Sequence, residues 1–118
     1  RPFCPSMLDT VGPQMLGSTH PAPFMTFTFP VAEAWKARVP EVVHEDGTSR
    51  AQVLRREFNP RYYDLMLEME KLTGNGVVLN TSLNRRGEPM ICSPTDALDM
   101  FFGSDLRTLI MEDVLVTK

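Results

Sequence analysis

The stretch from Asn59 to Asn80 constrains this chain more than any other, because it spells a capped helix, an abrupt stop and a buried strand with almost no connecting chain between them. Asn59 suits the N-cap, Pro60 the first helical position, where its missing N–H costs nothing, and Gly74 the left-handed residue that ends a helix. The spacing therefore predicts a helix over residues 60–73. Tyr62, Leu65, Met66, Met69 and Leu72 recur at helical intervals and are expected to form one buried stripe with no cofactor role, while Arg61, Asp64, Glu68 and Lys71 face water. Gly76-Val77-Val78-Leu79 then reads as a buried strand. A helix that turns straight into an apolar strand needs a sheet on which to pack.

That strand empties into small hydroxyls, amides, two arginines and a glycine, from Thr81 to Glu88. Ser82 and Asn84 lie two apart, so in extended chain both face one side, and either can donate to a phosphate oxygen or a nucleobase edge. Ser82 and Asn84 are equally suited to closing a turn. Arg86 adds a planar, permanently charged fork for phosphate or carboxylate. Arg85 is expected to be solvated, and Glu88 to orient the loop and not to bind metal. A second helix is predicted over 94–102, with Ser93 as cap, Asp96 as a variant of the capping box and Gly103 as stop; 106–111 and 114–116 read as final strands.

The N-terminal half is less periodic. Residues 1 to 23 hold five prolines, with a possible strand edge from Pro2 to Leu8. Met25, Phe27 and Phe29 alternate with Thr26 and Thr28, which predicts a strand with one buried face ending at Pro30. Residues 31–37 fit a helical turn or two around Trp35. Residues 41–45 and 48–54 flank Asp46-Gly47, a two-residue hairpin turn, across which Arg50 has Glu45 as a potential partner. The order, strand-rich and then helix, strand, helix, strand, predicts an α/β (α+β) fold: a mixed parallel and antiparallel sheet with packed helices.

Composition narrows the function classes. At 118 residues the chain is read as one domain spanning 1–118, able to bury somewhat under ~70% of its unfolded surface. A net charge of -3, without clusters of Lys and Arg interleaved with aromatics, argues against nucleic acid and anionic membrane as partners. No apolar run approaches the ~18 residues of a membrane helix. Two cysteines, Cys4 and Cys92, are too few for a disulfide framework and fit free thiols in a reducing cytoplasm. His44 on a strand and His20 among prolines are read as structural or exposed, and no metal ligand set is assigned.

Asn80-Thr81-Ser82-Leu83-Asn84-Arg85-Arg86-Gly87-Glu88-Pro89, followed by Cys92-Ser93-Pro94-Thr95-Asp96-Ala97-Leu98, resembles the C-terminal domain of the O-carbamoyltransferases of nodulation-factor and antibiotic biosynthesis. Arg1-Pro2-Phe3-Cys4-Pro5-Ser6, His44-Glu45-Asp46-Gly47-Thr48-Ser49-Arg50 and Asn59-Pro60-Arg61-Tyr62-Tyr63 agree with it in order and spacing. The resemblance implies a YrdC-like twisted mixed sheet in which carbamoyl phosphate and ATP, carried with Mg, are joined into carbamoyl adenylate for transfer to a hydroxyl of a small-molecule acceptor. It places Ser82, Asn84, Arg50 and Arg86 at nucleotide phosphate, with Arg50 and Arg86 also catalytic through charge. It assigns iron only to a partner domain, the acceptor-binding N-terminal domain of the same protein.

The chain also departs from the family pattern. Cys4 stands where the family usually has alanine, and a Lys-x-Arg element and a glycine-rich segment precede the opening Arg-Pro-Phe in the family. The chain is therefore expected to be a C-terminal fragment of a cytoplasmic enzyme, with weak nucleotide affinity and no transfer activity alone, and an open sheet edge that favours dimerisation. Two other readings of the residues are a stand-alone YrdC-like nucleotide- or RNA-binding module and a non-catalytic docking domain.

Overall fold

The computed structural model describes residues 3–118, and its chain forms two compact units, Arg1–Thr81 and Ser82–Lys118. In the first unit, β1 (Cys4–Leu8) is the middle strand of a three-stranded sheet. On one side β4 (Gln52–Leu54) runs parallel to it, with Ser6 opposite Gln52; on the other β5 (Val77–Asn80) runs antiparallel, with Cys4 opposite Asn80. All five residues of β1 are buried, so the expected edge strand is the central one; Pro2 lies outside the described residues. Pro5 is tolerated there because its missing N–H falls before the ladder with β4 begins at Ser6. Leu8 N–H donates to Gly76 O at 3.1 Å, and strand alternation then turns the backbone of Pro5 away from β5.

Helix α3 (Pro60–Thr73) follows the sequence pattern closely at its ends. The Asn59 side chain accepts from Tyr62 N–H at 3.1 Å, and Gly74 takes φ +75. Arg38 closes the helix from outside: its Nη2 donates to Gly74 O and Asn75 Oδ1, and its guanidinium lies 3.9 Å over the Trp35 ring. The buried stripe is rotated from the expected one. Met66 is fully buried and Tyr62, Tyr63 and Leu67 pack on the core, whereas Leu65 is 50% and Leu72 82% exposed. Tyr63 belongs inside because its hydroxyl donates to Asp9 at 2.7 Å, just past the end of β1. The core gathers Met7, Leu8, Met15, Trp35, Leu54 and Met66, each large side chain contributing about 1.5–3 kcal/mol by leaving water.

The remaining elements of this unit are short: α1 (Gly12–Leu16), β2 (Phe29–Pro30), α2 (Glu33–Lys36), a 3₁₀ turn at Pro40–Val42 and β3 (Thr48–Ser49). The helical turn around Trp35 is where the sequence placed it. The strand expected over 25–29 shrinks to its last residues because Met25 sits at φ +54, a left-handed bend that takes exposed Phe27 off the core. The Asp46-Gly47 turn forms, with Gly47 at φ +77 and its N–H donating to His44 O. Its expected hairpin does not, since β3 pairs antiparallel with β2 and residues 40–42 coil.

In the second unit, α4 (Pro94–Phe102) packs Ala97 and Phe101 on Leu109 of a hairpin made by β6 (Thr108–Met111) and β7 (Val114–Thr117). The fold is thus mixed α/β with a mixed sheet, as the sequence predicts. Among the described residues no helix is long and apolar enough to cross a membrane.

Gly76 is the tightest joint. A Cβ there would lie 2.8 Å from Leu8 Cδ1 and 2.9 Å from Val11 Cγ2. Gly76→Ala is expected to destabilise the chain by about 1–3 kcal/mol, and Asn59→Ala by about 1 kcal/mol through loss of the cap. Urea unfolding measures both, and an unshifted midpoint for Gly76→Ala contradicts the packing described.

Candidate functional site

Side chains on a strand alternate, so Cys4, Ser6 and Leu8 share one face of β1. That face begins apolar at Leu8 and becomes polar toward the N-terminal end of β1. Ser6 is fully buried there, and a hydroxyl withdrawn from water costs about 1–3 kcal/mol unless bonded. It is bonded twice: Ser6 Oγ donates to Gln52 Oε1 at 2.6 Å and accepts from Asn80 Nδ2 at 2.9 Å. Asn80 Nδ2 also donates to Gln52 Oε1 at 3.1 Å, and Gln52 Nε2 donates to Pro23 O at 3.1 Å. One side-chain chain therefore crosses all three strands. The sequence reading missed it, for its members are far apart in the chain and unremarkable alone.

Arg50, just ahead of β4, joins the same face. Its Nε and Nη2 both donate to the Cys4 sulfur, at 3.3 and 3.1 Å. Cys4 is buried and free, whereas Arg50 is exposed. A cysteine sulfur is a weak acceptor, so this contact aims the guanidinium without spending it on a carboxylate. The partner foreseen for Arg50, Glu45, is replaced by a sulfur from the central strand.

In the second unit the loop from Ser82 to Ser93 is built around its own side chains. Ser82 Oγ donates to Asn84 Oδ1 at 2.5 Å, and Asn84 Nδ2 donates to Arg85 O at 2.9 Å and Glu88 O at 3.1 Å. Ser82 and Asn84 are thus brought together, with the Asn84 amide protons spent on holding the loop. Gly87 takes φ +84 at its tip. Arg86 is exposed and makes no hydrogen bond or ion pair with the other described residues. Arg85 is exposed, as expected, and its Nη2 also donates to Asp99 O at 2.7 Å beside Gly103, at the C-terminal end of α4.

His44 is half-buried. Its Nδ1 lies 3.4 Å from Thr48 Oγ1, whose proton goes to Asp46 Oδ1 at 2.6 Å, and its Nε2 is buried without a partner among the described residues. The Thr48 hydroxyl holds the exposed Asp46 carboxyl below its ordinary range. His20 is exposed and stacks edge-on against Phe27. A cleft of about 450 Å³ is lined by Asp9, His20, Arg55 and Glu57 together with Pro13 and Val53. Among the described residues no three His, Cys, Asp or Glu side chains gather as metal ligands, so none is assigned to a resident metal.

Residues 1–118 match the family described as the carbamoyltransferase C-terminus. The chain is 36% identical over 121 residues to nodulation protein NolO of Bradyrhizobium diazoefficiens, matching all of this chain and 22% of that protein. It is 37% identical over 87 residues to nodulation protein U of Rhizobium tropici, covering 74% of this chain and 15% of the relative. An uncharacterized protein of Synechocystis is 32% identical over 138 residues, with 100% of this chain and 22% of the relative covered. The chain spans about a fifth of the length of such relatives.

The start of α4 carries a pH-dependent element beside the loop. Ser93 Oγ accepts from Asp96 N–H, and Asp96 Oδ2 faces Cys92 N–H at 3.4 Å. The Ser93 hydroxyl beside the carboxyl, and then the Cys92 N–H, lower the Asp96 pKa from the ordinary 3.8. A carboxyl whose folded pKa is depressed stabilises the fold above its unfolded pKa and loses that contribution as pH falls through the folded one. The stability difference between the wild type and Asp96→Asn is therefore expected to be full at neutral pH and to shrink as pH drops below 3.8. Paired urea titrations measure it, and a difference independent of pH contradicts the assignment.

Proposed function

Because the chain belongs to the carbamoyltransferase C-terminal family, we propose that it forms part of the site at which an intact O-carbamoyltransferase activates its carbamoyl donor. Carbamoyl phosphate and ATP are the substrates, carbamoyl adenylate is the product, and a hydroxyl of a small molecule finally receives the group. Carbamoyl phosphate loses its phosphoryl group to water, giving carbamate and phosphate. A carbamate oxygen then bonds to the α-phosphorus of ATP, and the bond to pyrophosphate breaks.

Every reactant in this scheme is an anion, so the barrier is largely one of charge and placement, and it is lowered by fixed cations and aimed donors, with no protein nucleophile required. The observation that carries the reading is the Arg50 fork, aimed by Cys4 yet keeping its charge, at the polar end of the sheet. Arg86 offers a second guanidinium, unpaired among the described residues. In the first unit Arg50 is assigned to phosphate and the carbamoyl group; in the second, taken by itself, Arg86 is assigned to phosphate and the carbamoyl group, Ser82 to nucleotide phosphate, and Asn84 to phosphate and to the shape of the loop. Magnesium arrives with ATP as part of the substrate. Acceptor recognition is assigned to the remaining length of the full protein.

A docking role is favoured by one feature of the second unit. Ile110 and Leu115 are direct cross-strand partners on the β6–β7 hairpin, yet 64% and 63% exposed, which is apolar surface suited to a protein neighbour.

Ligand-detected NMR at millimolar ATP with Mg, and then with carbamoyl phosphate, separates the two. The activation reading expects binding that Arg50→Ala and Arg86→Ala each weaken by about ten- to a hundredfold, the range for a charge-assisted hydrogen bond of roughly 1.5–3 kcal/mol. Absence of binding by either ligand overturns it in favour of docking.

A further inference from the structure

We infer that Asn80 is a specificity-determining residue that reads the amino group of the carbamoyl donor, its Oδ1 accepting an N–H of the carbamoyl –NH₂ while Arg50 holds the oxygens beside it. The inference rests on the reading of this face as a carbamoyl phosphate site. It adds the residue that tells a carbamoyl group from an acyl group of the same shape.

An asparagine amide has an oxygen end and a nitrogen end, and which one faces outward is decided here by the chain of hydrogen bonds behind it. The chain starts at Pro23 O, which can only accept. Gln52 must therefore turn Nε2 toward it, at 3.1 Å, and present Oε1 to the sheet. Ser6 Oγ gives its one proton to that Oε1, at 2.6 Å. Both Ser6 Oγ and Gln52 Oε1 then call for donors, and Asn80 Nδ2 supplies them at 2.9 and 3.1 Å. With Nδ2 committed, Oδ1 is excluded from the network, and it has no hydrogen-bond partner among the described residues. A residue more than seventy positions from Ser6 is thus set, by backbone and side chains, as a fixed acceptor.

The acceptor has a cationic neighbour. Asn80 is the Cα partner of Cys4, the residue whose sulfur carries the Arg50 guanidinium. Asn80 bonds Ser6, Arg50 bonds Cys4, and Ser6 and Cys4 share a face of β1, so both groups stand on the same side of the sheet. Asn80 is half-buried and Arg50 exposed, which leaves the pair open to a ligand. The complementary molecule carries N–H donors at one end and anionic oxygens close by. Carbamoyl phosphate has both, with its –NH₂ on the carbon that bears the phosphate ester. Acetyl phosphate has the same charge and nearly the same outline, but turns a methyl toward Oδ1 and leaves that oxygen without a partner.

The test compares carbamoyl phosphate, freshly dissolved, with acetyl phosphate by ligand-detected NMR on the wild-type chain and on Asn80→Ala, with thermal melting to confirm folding of the variant. The wild type is expected to prefer carbamoyl phosphate by on the order of tenfold, as for a site whose buried polar group is left unpaired by the wrong ligand. In Asn80→Ala the preference falls to near unity. Equal binding of the two ligands by the wild type, or a preference that survives in Asn80→Ala, overturns the inference while leaving the carbamoyl phosphate site in place. Failure of the wild type to bind either ligand overturns both. Equal binding by the wild type overturns the inference even where the variant does not fold.

Discussion

A single buried hydroxyl organises the first unit. Ser6 lies in the middle of the central strand with no access to water, and it is satisfied only when Gln52 from a parallel neighbour and Asn80 from an antiparallel one reach it together. A slip of one residue in either pairing would swing Gln52 or Asn80 to the opposite face and leave Ser6 unpaired. Apolar burial of Met7, Leu8 and Met66 drives the sheet together, but it tolerates approximate partners; the polar chain does not. Register, strand direction and the polar end of the sheet are thus aspects of one constraint.

Arginines of equal charge do different work in this chain. Arg38 is consumed by structure, donating to Gly74 O and Asn75 while it covers Trp35. Arg56 is matched by Asp64 at 2.6 Å, and Arg85 is held on the end of α4. Arg50 rests on the Cys4 sulfur, a weak acceptor that fixes its direction without pairing it with a carboxylate. That combination is what an anion site needs. The cysteine at position 4 supplies an acceptor that an alanine there would lack.

What was legible in the sequence was local. The caps at Asn59 and Ser93, the stops at Gly74 and Gly103 and the strand after Gly76 are written within a few residues of the elements they control, and helices α3 and α4 fall at the expected positions. The stripe on α3 was misjudged because Tyr63 is drawn inward by Asp9, a contact no helical periodicity contains. The sequence points to an edge position for β1 because its proline-rich surroundings hide a parallel pairing with a strand more than forty residues away. Of the site, Arg50, Arg86, Ser82 and Asn84 could be named from their loops. Ser6, Gln52, Asn80 and the contact of Cys4 with Arg50 could not, for they become a group only when three distant segments align.

The measurement that bears most directly on this account is exchange of the side-chain amide protons of Gln52 and Asn80 in the free protein, followed by NMR. A preformed network predicts protection of the Asn80 side-chain protons, and its loss in Ser6→Ala. Exchange at the rate of an unfolded asparagine in the wild type would mean that the polar end of the sheet is not built before a ligand arrives, and would contradict the account.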